Sequence, residues 1–450
     1  MLSEKNKMLL ESVKRLSRRN AVQHLRKIVN KTHAADLSAV FRSLSLAHQQ
    51  QLFGLIDSLE QKGMLFGELD KDTFLDLVKG MDIDEIVEIL ESMPADDAAY
   101  VIDRFPEEQA DAILTKMQKE ESAEVEDLLR YEDDTAGRIM VPDFIALEQE
   151  MTAREVIESL QKEHLDVEMP FYIYVVDEYE KLVGVISLRQ LVVVPPNKKL
   201  KDFMTTEVIS VRTDVDQEEV ARMVARYNIL AVPVVDESNR LVGIITVDDV
   251  IDVFREEATE DMLKMAGAGE EFVETKSIYN STRIRLPWLF ASCIGGIIAS
   301  MVISRFGAGL KEFAYLAAFI PVITGMGGNI GTQSSTIVVR GLATGRIIIR
   351  DLWKVVLKEI SVALLLGCVY GTMMGLVAHW ECGVWLMAVS VGLAVISSMS
   401  VAALVGSAIP MVLARIKIDP AVATGPFVTT SIDIIGVFLY FRIAMTLLPG

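Results

Sequence analysis

The sequence predicts a multidomain membrane protein. An α-helical solenoid comes first, an α/β tandem module second, and a domain of five transmembrane helices last. Two observations support this organisation. The mean hydropathy is positive although the formal net charge is −19. Charged residues are dense up to about Tyr279, whereas long apolar runs dominate from Leu286 onwards. One part of the chain therefore suits water and the other suits lipid.

The first predicted domain, residues 1–130, is acidic and helical. From Ile83 onwards the sequence repeats about every 12 residues, and Pro94 and Pro106 mark the boundaries between the repeats. Such a period is typical of short helix pairs that stack as a solenoid. The first residues are charged throughout, so we expect no signal peptide. No cysteine precedes Cys293, which fits a reducing cytosol.

The second predicted domain, residues 131–255, contains an internal repeat of about 60 residues. The stretch Tyr174–Val192 matches Pro233–Ile251. In both, Val-Val-Asp ends a strand, a turn follows, and Leu-Val-Gly begins a second strand before a helix starts. Neither copy is large enough to bury a sizeable core alone, so we predict that the two copies pack as one unit.

These paired copies resemble a tandem CBS domain. In that family an adenosine nucleotide can bind, and a Gly-x-x-Ser/Thr-x-x-Asp motif holds its ribose. The second copy has this motif as Gly243, Thr246 and Asp249, but in the first copy Gln190 stands where the Asp is expected. The resemblance implies ATP as a ligand of the second copy. A folded scaffold without nucleotide is the alternative.

Acidic residues are dense at the start of the helix that follows the second copy. Asp249, Asp252 and Glu256 are spaced so that they share one helical face. A solvated surface is the usual explanation of such a run. Few basic residues are spaced to pair with these carboxylates, however, and divalent cations would relieve their repulsion. A cation sensor is therefore the second interpretation.

Five apolar stretches are each at least as long as the roughly 20 residues that a membrane-spanning helix needs. They are Leu286–Phe306, Phe313–Val339, Val355–Trp380, Val384–Leu413 and Ala421–Leu448. Basic residues concentrate in alternate loops, above all between the second and third stretches. Because basic loops remain on the cytoplasmic side, we predict cytoplasmic N-terminal domains and a C-terminus outside the cell inner (plasma) membrane.

The second stretch contains the sequence GMGGNIGTQSST, Gly325–Thr336. No Lys precedes a Ser or Thr at the spacing of a phosphate loop, which excludes that nucleotide site. Tight helix packing through small residues is one explanation of the glycines. The other is an irregular backbone that lines a water-filled path. We favour the path, because packing does not explain why amide and hydroxyl side chains gather beside the glycines.

The fifth stretch contains Asp433 shortly after Pro426, which is predicted to interrupt the span. A carboxylate near the bilayer centre costs about 2.5–3.5 kcal/mol even on a lenient insertion scale. No other acidic residue is predicted to lie deep in a span. Asp433 therefore indicates a cation site, with a protonated or ion-paired structural Asp as the alternative. The sequence contains no His or Cys cluster of the kind that would favour zinc or copper. Oxygen ligands such as the Asp433 carboxylate suit Mg²⁺, Ca²⁺ or Mn²⁺.

Together these features resemble the MgtE family of magnesium channels or transporters over nearly the whole chain. The motifs that carry the resemblance are RYEDDTAG (Arg130–Gly137), TDVDQEEVAR (Thr213–Arg222), TVDDVIDV (Thr246–Val253), PVITGMGGNIGTQS (Pro321–Ser334) and the Asp of TTSIDIIG. None of these motifs is specific alone, but their combination and order are.

The resemblance implies a homodimer in the lipid bilayer, with one pore for Mg²⁺ between residues 283–450 of the two copies. Asp433 would hold hydrated Mg²⁺, with Gly325, Gly328 and Thr429 lining the pore. Residues 256–282 would form a connecting, or plug, helix. Mg²⁺ bound to a cytosolic sensor would favour the closed state. The implied sensor residues are Asp96, Gly137, Asp216, Glu218, Asp249, Asp252, Glu257 and Glu260.

Two other functions remain open at this point. One is a nucleotide-regulated transporter of another divalent cation, such as Mn²⁺ or Co²⁺. The other is a membrane sensor whose CBS domains bind nucleotide and which transports nothing. An enzyme is not expected, because no paired acid and base and no nucleophile arrangement occurs in the sequence. No nucleic-acid partner is expected either.

Overall fold

The structure, a computed structural model, describes residues 4–163, 171–267, 278–306, 315–423 and 425–448. Contacts divide the chain into two compact units, Met1–Arg255 and Glu256–Gly450. Residues 268–277 of the predicted connecting helix and Phe313 at the start of the second predicted span lie outside the described residues.

The first half of unit 1 consists of short helices. They are α1 Glu4–Arg18, α2 Val22–Val29, α3 Ala34–Phe41, α4 Leu46–Phe53, α5 Leu59–Glu68, α6 Lys71–Val78, α7 Ile83–Leu90, α8 Ala95–Ile102, α9 Glu107–Lys116 and α10 Lys119–Leu129. Helices α7, α8 and α9 begin at residues 83, 95 and 107, which confirms the predicted period. Pro94 and Pro106 directly precede α8 and α9, where a missing amide donor costs nothing.

Most of these helices pack on the next helix but one. Helix α3 contacts α5, α5 contacts α7, and α7 contacts α9. Their apolar faces share one core, which includes Phe41, Phe66 and Phe74. This stacking is compatible with the predicted solenoid, which stays a prediction.

The second half of unit 1 contains two three-stranded sheets of the same design. The elements are β1 Ala146–Glu148, α11 Ala153–Glu163, β2 Tyr172–Val176, β3 Leu182–Ser187, α12 Leu188–Val193, β4 Val211–Arg212, α13 Gln217–Tyr227, β5 Ala231–Val235, β6 Leu241–Thr246 and α14 Val247–Met265, with a 3₁₀ turn at Leu200–Asp202. In each sheet the first strand pairs parallel with the second, and the second pairs antiparallel with the third. The predicted strand–turn–strand–helix repeat is confirmed.

The Asp of each Val-Val-Asp sequence closes the hairpin turn that follows it. Oδ1 of Asp177 accepts hydrogen bonds of 2.9 Å from the backbone amides two and four residues further on. Oδ1 of Asp236 accepts the same two bonds at 2.8 Å. The turns then place Glu180 and Asn239 at φ of 62° and 64°. The repeat of Asp at these positions therefore has a local structural cause.

The two hairpins also form backbone hydrogen bonds with each other. The amide of Leu182 donates to the carbonyl of Asn239 at 3.1 Å, and the amide of Leu241 donates to the carbonyl of Glu180 at 3.3 Å. Each hairpin thus supplies backbone acceptors to the other. This reciprocal pairing supports the prediction that the two copies pack as one unit.

Unit 2 consists of the end of α14 and five long helices in the described residues. They are α15 Ile278–Arg305, α16 Leu316–Ala343, α17 Leu352–Cys382, α18 Trp385–Arg415 and α19 Pro426–Leu447, with 3₁₀ turns at Ile349–Asp351 and Pro420–Ala423. Four of these, α15, α17, α18 and α19, are long and apolar enough to cross a membrane. Helix α16 corresponds to the second predicted span, and its Gly, Asn, Gln and Ser residues make it more polar. The total of five spans stays a prediction.

Helix α18 is the centre of unit 2, where it packs against α16, α17 and α19. Glycines permit the closest of these approaches. A Cβ on Gly406 of α18 would overlap the Gly331 carbonyl of α16, and a Cβ on Gly371 of α17 would lie 2.7 Å from the Gly392 carbonyl of α18. Such small-residue contacts are typical of membrane helix bundles.

Two expectations about the backbone were wrong. Helix α16 is regular through Gly325–Ser335, so its backbone is not irregular there, because neighbouring helices support the glycines from one side. Pro426 begins α19 instead of interrupting a span, since the first turn of a helix tolerates a missing amide. Helix α14 runs through residue 255, where the tandem module and the connecting helix are predicted to meet, and that boundary stays a prediction.

Candidate functional site

Asp433 lies in the middle of α19, between two packed faces of this helix. On one side, its neighbour Ile432 fills the space above Gly327 and Gly331 of α16. On the other side, Thr430 rests against Gly295 of α15, where a Cβ would overlap it. Both contacts require glycine, so the orientation of α19 is closely determined. Asp433 is half-buried as a result.

Among the described residues, the Asp433 carboxylate has no basic side chain within ion-pair distance. Thr429, one turn earlier, lies on the same face of α19. Its hydroxyl donates to the carbonyl of Gly425 at 3.2 Å, which leaves its oxygen lone pairs available to a further donor. The helix therefore presents a carboxylate and a hydroxyl together, both oxygen groups of the kind that hard cations prefer.

Helix α16 has two chemically different faces. A polar stripe consists of residues that are exposed or have open space beside them; they are Gly325, Gly328, Asn329, Thr332 and Thr336. A Cβ on Gly325 or Gly328 would meet no atom within 4 Å. On the opposite face, Gly327 and Gly331 pack against α18 and α19. Packing through small residues therefore explains Gly327 and Gly331, whereas a water-filled path beside Gly325 and Gly328 stays a prediction.

Sequence analysis missed Glu359 of α17, although this residue lies inside the third predicted span. Its side chain is 6% exposed, and its Oε2 accepts a hydrogen bond of 2.9 Å from the hydroxyl of Ser334 on α16. Glu359 is the fifth residue of the predicted span Val355–Trp380, so it lies near one end of that span, and the expectation that only Asp433 lies deep in a span stays a prediction. The neighbouring Lys358 gave this segment the appearance of a basic loop, which hid the buried acid.

In unit 1, carboxylates of α8 and α14 come close together. Burial raises the pKa of Asp97, and the negative charges of Asp248 and Asp252 raise it further. Burial also raises the pKa of Asp249 to about 6, although hydrogen bonds from Thr246 oppose the shift. Burial is thus the larger cause of both shifts, and the neighbouring negative charges add to it. A bound cation would relieve the repulsion between these charges.

This cluster includes two of the predicted sensor residues, Asp249 and Asp252, and adds Asp97. Sequence analysis selected Asp96, the residue before Asp97 in the first turn of α8. Because the helical repeat allows a shift of one residue in the assignment, the sequence did not distinguish the two. The charges of Asp248 and Asp252 act on Asp97.

Thr246 and Asp249 form a hydrogen-bonded pair at the start of α14. Oδ2 of Asp249 accepts from both the hydroxyl and, at 3.2 Å, the backbone amide of Thr246. Ser187 and Gln190 form the equivalent capping box at the start of α12. Both pairs thus have a structural role as helix caps. The Gly of the motif has one too, since a Cβ on Gly243 would lie 2.7 Å from the sulfur of Met140.

Gly137, Asp216 and Glu218 lie on two adjoining segments of unit 1. The amide of Gly137 donates to the carbonyl of Thr213 at 2.9 Å. The Asp216 side chain caps α13 by accepting from the amide of Glu218 at 2.8 Å. The Glu218 carboxylate pairs with Arg222 at 2.8 Å. The structure therefore brings these three predicted residues together, but Asp216 and Glu218 already have partners.

The remaining two predicted sensor residues, Glu257 and Glu260, lie on α14 within unit 2. Glu260 forms an ion pair with Lys264, whose Nζ also lies 2.7 Å from Oδ2 of Asp419. Burial lowers the pKa of Lys264, but the hydrogen bonds to Asp419 and Glu260 outweigh it and leave the pKa raised. Burial and the charges of Asp419 and Glu260 raise the pKa of Asp261. The Lys264 ammonium group thus supplies a positive charge among the carboxylates of Glu260, Asp261 and Asp419.

Within the described ranges, no three His, Cys, Asp or Glu side chains converge in an arrangement that would hold a metal ion. The groups that the described residues offer near Asp433, in the α8–α14 cluster and around Lys264 are carboxylate and hydroxyl oxygens. This donor set suits Mg²⁺, which keeps several of its waters and meets few carboxylates directly. It does not suit zinc, which takes four close nitrogen or sulfur ligands in structural sites.

Three family models match the chain. The model described as a divalent cation transporter, MgtE, matches residues 320–443. The model of the MgtE intracellular N domain matches residues 32–134. The model of the CBS domain matches twice, at residues 136–196 and 200–256.

Relatives match most of the chain. The magnesium transporter MgtE of Thermus thermophilus is 40% identical over 335 residues, 73% of each chain. The magnesium transporter MgtE of Bacillus subtilis is 38% identical over 324 residues, 72% of each chain. A crystal structure of the cytosolic domain of the Mg²⁺ channel MgtE in complex with ATP is 36% identical, with a TM-score of 0.52, and covers 54% of this chain and 99% of that one.

Proposed function

This chain belongs to the MgtE family of divalent cation transporters, and from that premise we propose that it carries Mg²⁺ across the cell inner (plasma) membrane. The membrane part comprises five spans, residues 283–450, with the C-terminus outside. The cytoplasmic part comprises a helical solenoid, residues 1–130, and a CBS pair, residues 131–255. A connecting helix, residues 256–282, joins them. The negative-inside potential drives entry, by about 4.6 kcal/mol per 100 mV for a divalent ion.

One observation carries the proposal for the pore: Asp433 is a half-buried carboxylate in an apolar helix, with no basic partner among the described residues. An ionised acid in a membrane needs a counter-charge or water. Thr429 beside it adds a second oxygen group. Hydrated Mg²⁺ satisfies both groups without displacing most of its own waters.

A homodimer completes this site. The polar stripe of α16, including Gly325 and Gly328, has no covering element in the described part of one chain. Lipid is a poor solvent for amide and hydroxyl groups, so the stripe requires water or a second polar surface. A second copy supplies that surface. It also places a second Asp433 close to the first, and the two carboxylates then need a cation between them.

Cytosolic Mg²⁺ closes the channel through the carboxylates of unit 1 and α14. At low Mg²⁺ the acids of α8 and α14 repel each other: burial raises the pKa values of Asp97 and Asp249, and the neighbouring negative charges raise them further. At high Mg²⁺ the bound ions favour the compact, closed state. The ligand shifts this equilibrium only through its preference for that state. The proposed sensor groups are Asp96 or Asp97, Gly137, Asp216, Glu218, Asp249, Asp252, Glu257 and Glu260.

ATP is a second proposed ligand, bound by the CBS pair. The support is the likeness to a cytosolic domain that was solved with ATP. Gly243, Thr246 and Asp249 match the motif that holds the ribose. Because Asp249 also caps α14 in this structure, nucleotide binding here would act on the helix that carries the sensor acids.

The decisive test is Mg²⁺ uptake by cells that lack other Mg²⁺ transporters. Asp433→Ala should abolish uptake, whereas Glu381→Gln, which removes an exposed acid at the end of α17, should leave it unchanged. Undiminished uptake by Asp433→Ala would refute the pore assignment. Competition by Mn²⁺ or Co²⁺ in liposomes, with and without ATP, distinguishes Mg²⁺ transport from a nucleotide-regulated carrier of those ions. Purified protein that passes no ion would instead indicate a sensor.

A further inference from the structure

A buried polar contact joins α16 to α17 on the side away from the polar stripe. Glu359 is 6% exposed and Ser334 is 3% exposed, and the Ser334 hydroxyl donates to Glu359 Oε2 at 2.9 Å. Among the described residues, no basic side chain forms an ion pair with Glu359. Ionisable groups are costly within a membrane bundle, and those that occur there have a function as a rule.

The position of Ser334 on α16 indicates what that function is. Gly325 and Ser334 are nine residues apart, and a helix turns by about 100° per residue. Ser334 therefore lies about 180° from Gly325, on the far side of the helix from the middle of the polar stripe. A contact at Ser334 fixes the rotation of the stripe without touching whatever the stripe faces.

Two other hydrogen bonds reach backbone carbonyls of α16, from the Ser398 hydroxyl to Ile323 at 3.3 Å and from the Tyr440 hydroxyl to Leu316 at 2.9 Å. Both acceptors precede Gly325, so neither bond lies in the half of α16 that contains Ser334.

Closer to Ser334, the contact of Gly327 and Gly331 with Ile432 restricts how α16 and α19 pack, but an apolar contact has no preferred direction of its own. Helices α16 and α17 pack mainly on α18 and only slightly on each other. The hydrogen bond between Ser334 and Glu359 is directional, since it weakens steeply when its angle departs from linear.

We propose that Glu359 is a positioning residue for ion selection. By accepting the hydrogen bond of Ser334, it holds α16 at the rotation in which Gly325, Gly328 and the stripe face the ion path. This inference rests on the proposed function, in which α16 lines the pore. Glu359 itself does not touch the ion, and its role needs an acceptor oxygen but not a negative charge.

The test compares five variants of the full-length purified protein by electrical recording of the ratio of Mg²⁺ to Ca²⁺ conductance. Ser334→Ala and Glu359→Leu should each change the ratio by about fivefold or more, the effect of losing one hydrogen bond. Together they should have no greater effect than either alone. Glu359→Gln keeps an acceptor oxygen and should preserve the ratio. Ser335→Ala is the matched control, because its buried hydroxyl has no hydrogen-bond partner among the described residues.

A wild-type ratio in both Ser334→Ala and Glu359→Leu would overturn the inference. So would a changed ratio in Glu359→Gln with a normal one in Ser334→Ala, because the charge would then matter and the bond would not. If Glu359→Leu does not fold, Ser334→Ala decides, since it removes only one hydroxyl. Asp433→Ala is measured in parallel. Conduction of ions by Asp433→Ala would refute the proposed pore. Loss of conduction in Asp433→Ala, together with a wild-type conductance ratio in Ser334→Ala, would refute only the proposed role of Glu359.

Discussion

The Nζ of Lys264, in the last turn of α14, lies 2.7 Å from Oδ2 of Asp419, in the segment just before α19. Asp419 also accepts a hydrogen bond of 2.8 Å from the amide of Ala421 through its other oxygen. Nearby, a Cβ on Gly267 would lie 3.3 Å from Cδ of Pro426, the first residue of α19. The end of α14 is thus tied to the beginning of the helix that carries Asp433.

This ion pair should contribute to closure of the channel. Both side chains are about one-third exposed or less, so the pair is worth about 0.5–1 kcal/mol. Lys264→Met and Asp419→Asn should each raise the Mg²⁺ concentration of half-closure by about two- to fivefold, and the double variant by no more. Patch recording at graded internal Mg²⁺ measures this concentration. Lys354→Met, which breaks an exposed pair with Asp351, is the control; an equal shift there would contradict the prediction.

The stability of unit 1 should fall as the pH rises from about 4 to 6. The pKa of Asp249 is about 6 in the folded chain and about 4 when unfolded, so the folded state binds more protons between these values. The loss is at most about 3 kcal/mol. Calorimetric melting of residues 1–255 across this range measures it. Asp249→Asn, which keeps an oxygen acceptor for Thr246, should flatten the dependence of stability on pH. An unchanged dependence would mean that another group titrates in this range.

Mg²⁺ should stabilise unit 1 through Asp97 more than through Asp96. Above pH 6 the melting temperature of the wild type should rise with added Mg²⁺, because the ion relieves repulsion between Asp97, Asp248 and Asp252. Asp97→Asn should raise the melting temperature without Mg²⁺ and reduce the gain on adding it. Asp96→Asn is the neighbouring comparison. A larger effect at Asp96 would restore the assignment made from sequence.

Glycines on packed faces should be intolerant of alanine. A Cβ on Gly406 would overlap the Gly331 carbonyl, which is backbone and cannot rotate away. Gly406→Ala should therefore destabilise unit 2 by about 1–3 kcal/mol, measured as a lower melting temperature in detergent. Gly296→Ala, which would meet no atom within 4 Å, is the control. Equal melting temperatures for the two variants would show that the bundle accommodates the added methyl group.

Patterns with a fixed period were predictable from the sequence. The 12-residue repeat predicted the starts of α7, α8 and α9, because the prolines at 94 and 106 are favoured just before or at the start of a helix and disfavoured in its interior. The strand–turn–strand repeat was equally clear, since Asp177 and Asp236 each close a turn with their own backbone. In both cases the deciding interactions are local in the chain.

Features that depend on distant partners were not predictable. The environment of Glu359 is set by Ser334, which lies 25 residues away on another helix. The choice between Asp96 and Asp97 depends on where α14 packs, and the pairing of Lys264 with Asp419 spans 155 residues. Composition identified these residues as charged or polar, but only their three-dimensional neighbours distinguish a helix cap, an ion pair and an open carboxylate.

The reciprocal hydrogen bonds of the two hairpins have a consequence for synthesis. The amide of Leu182 bonds to the carbonyl of Asn239, which is 57 residues further along the chain. At a translation rate of about 5–20 residues per second, the ribosome needs about 3–11 s to deliver that acceptor. During this interval the first hairpin has an open edge in the crowded cytosol, and the second copy protects the nascent chain by closing it.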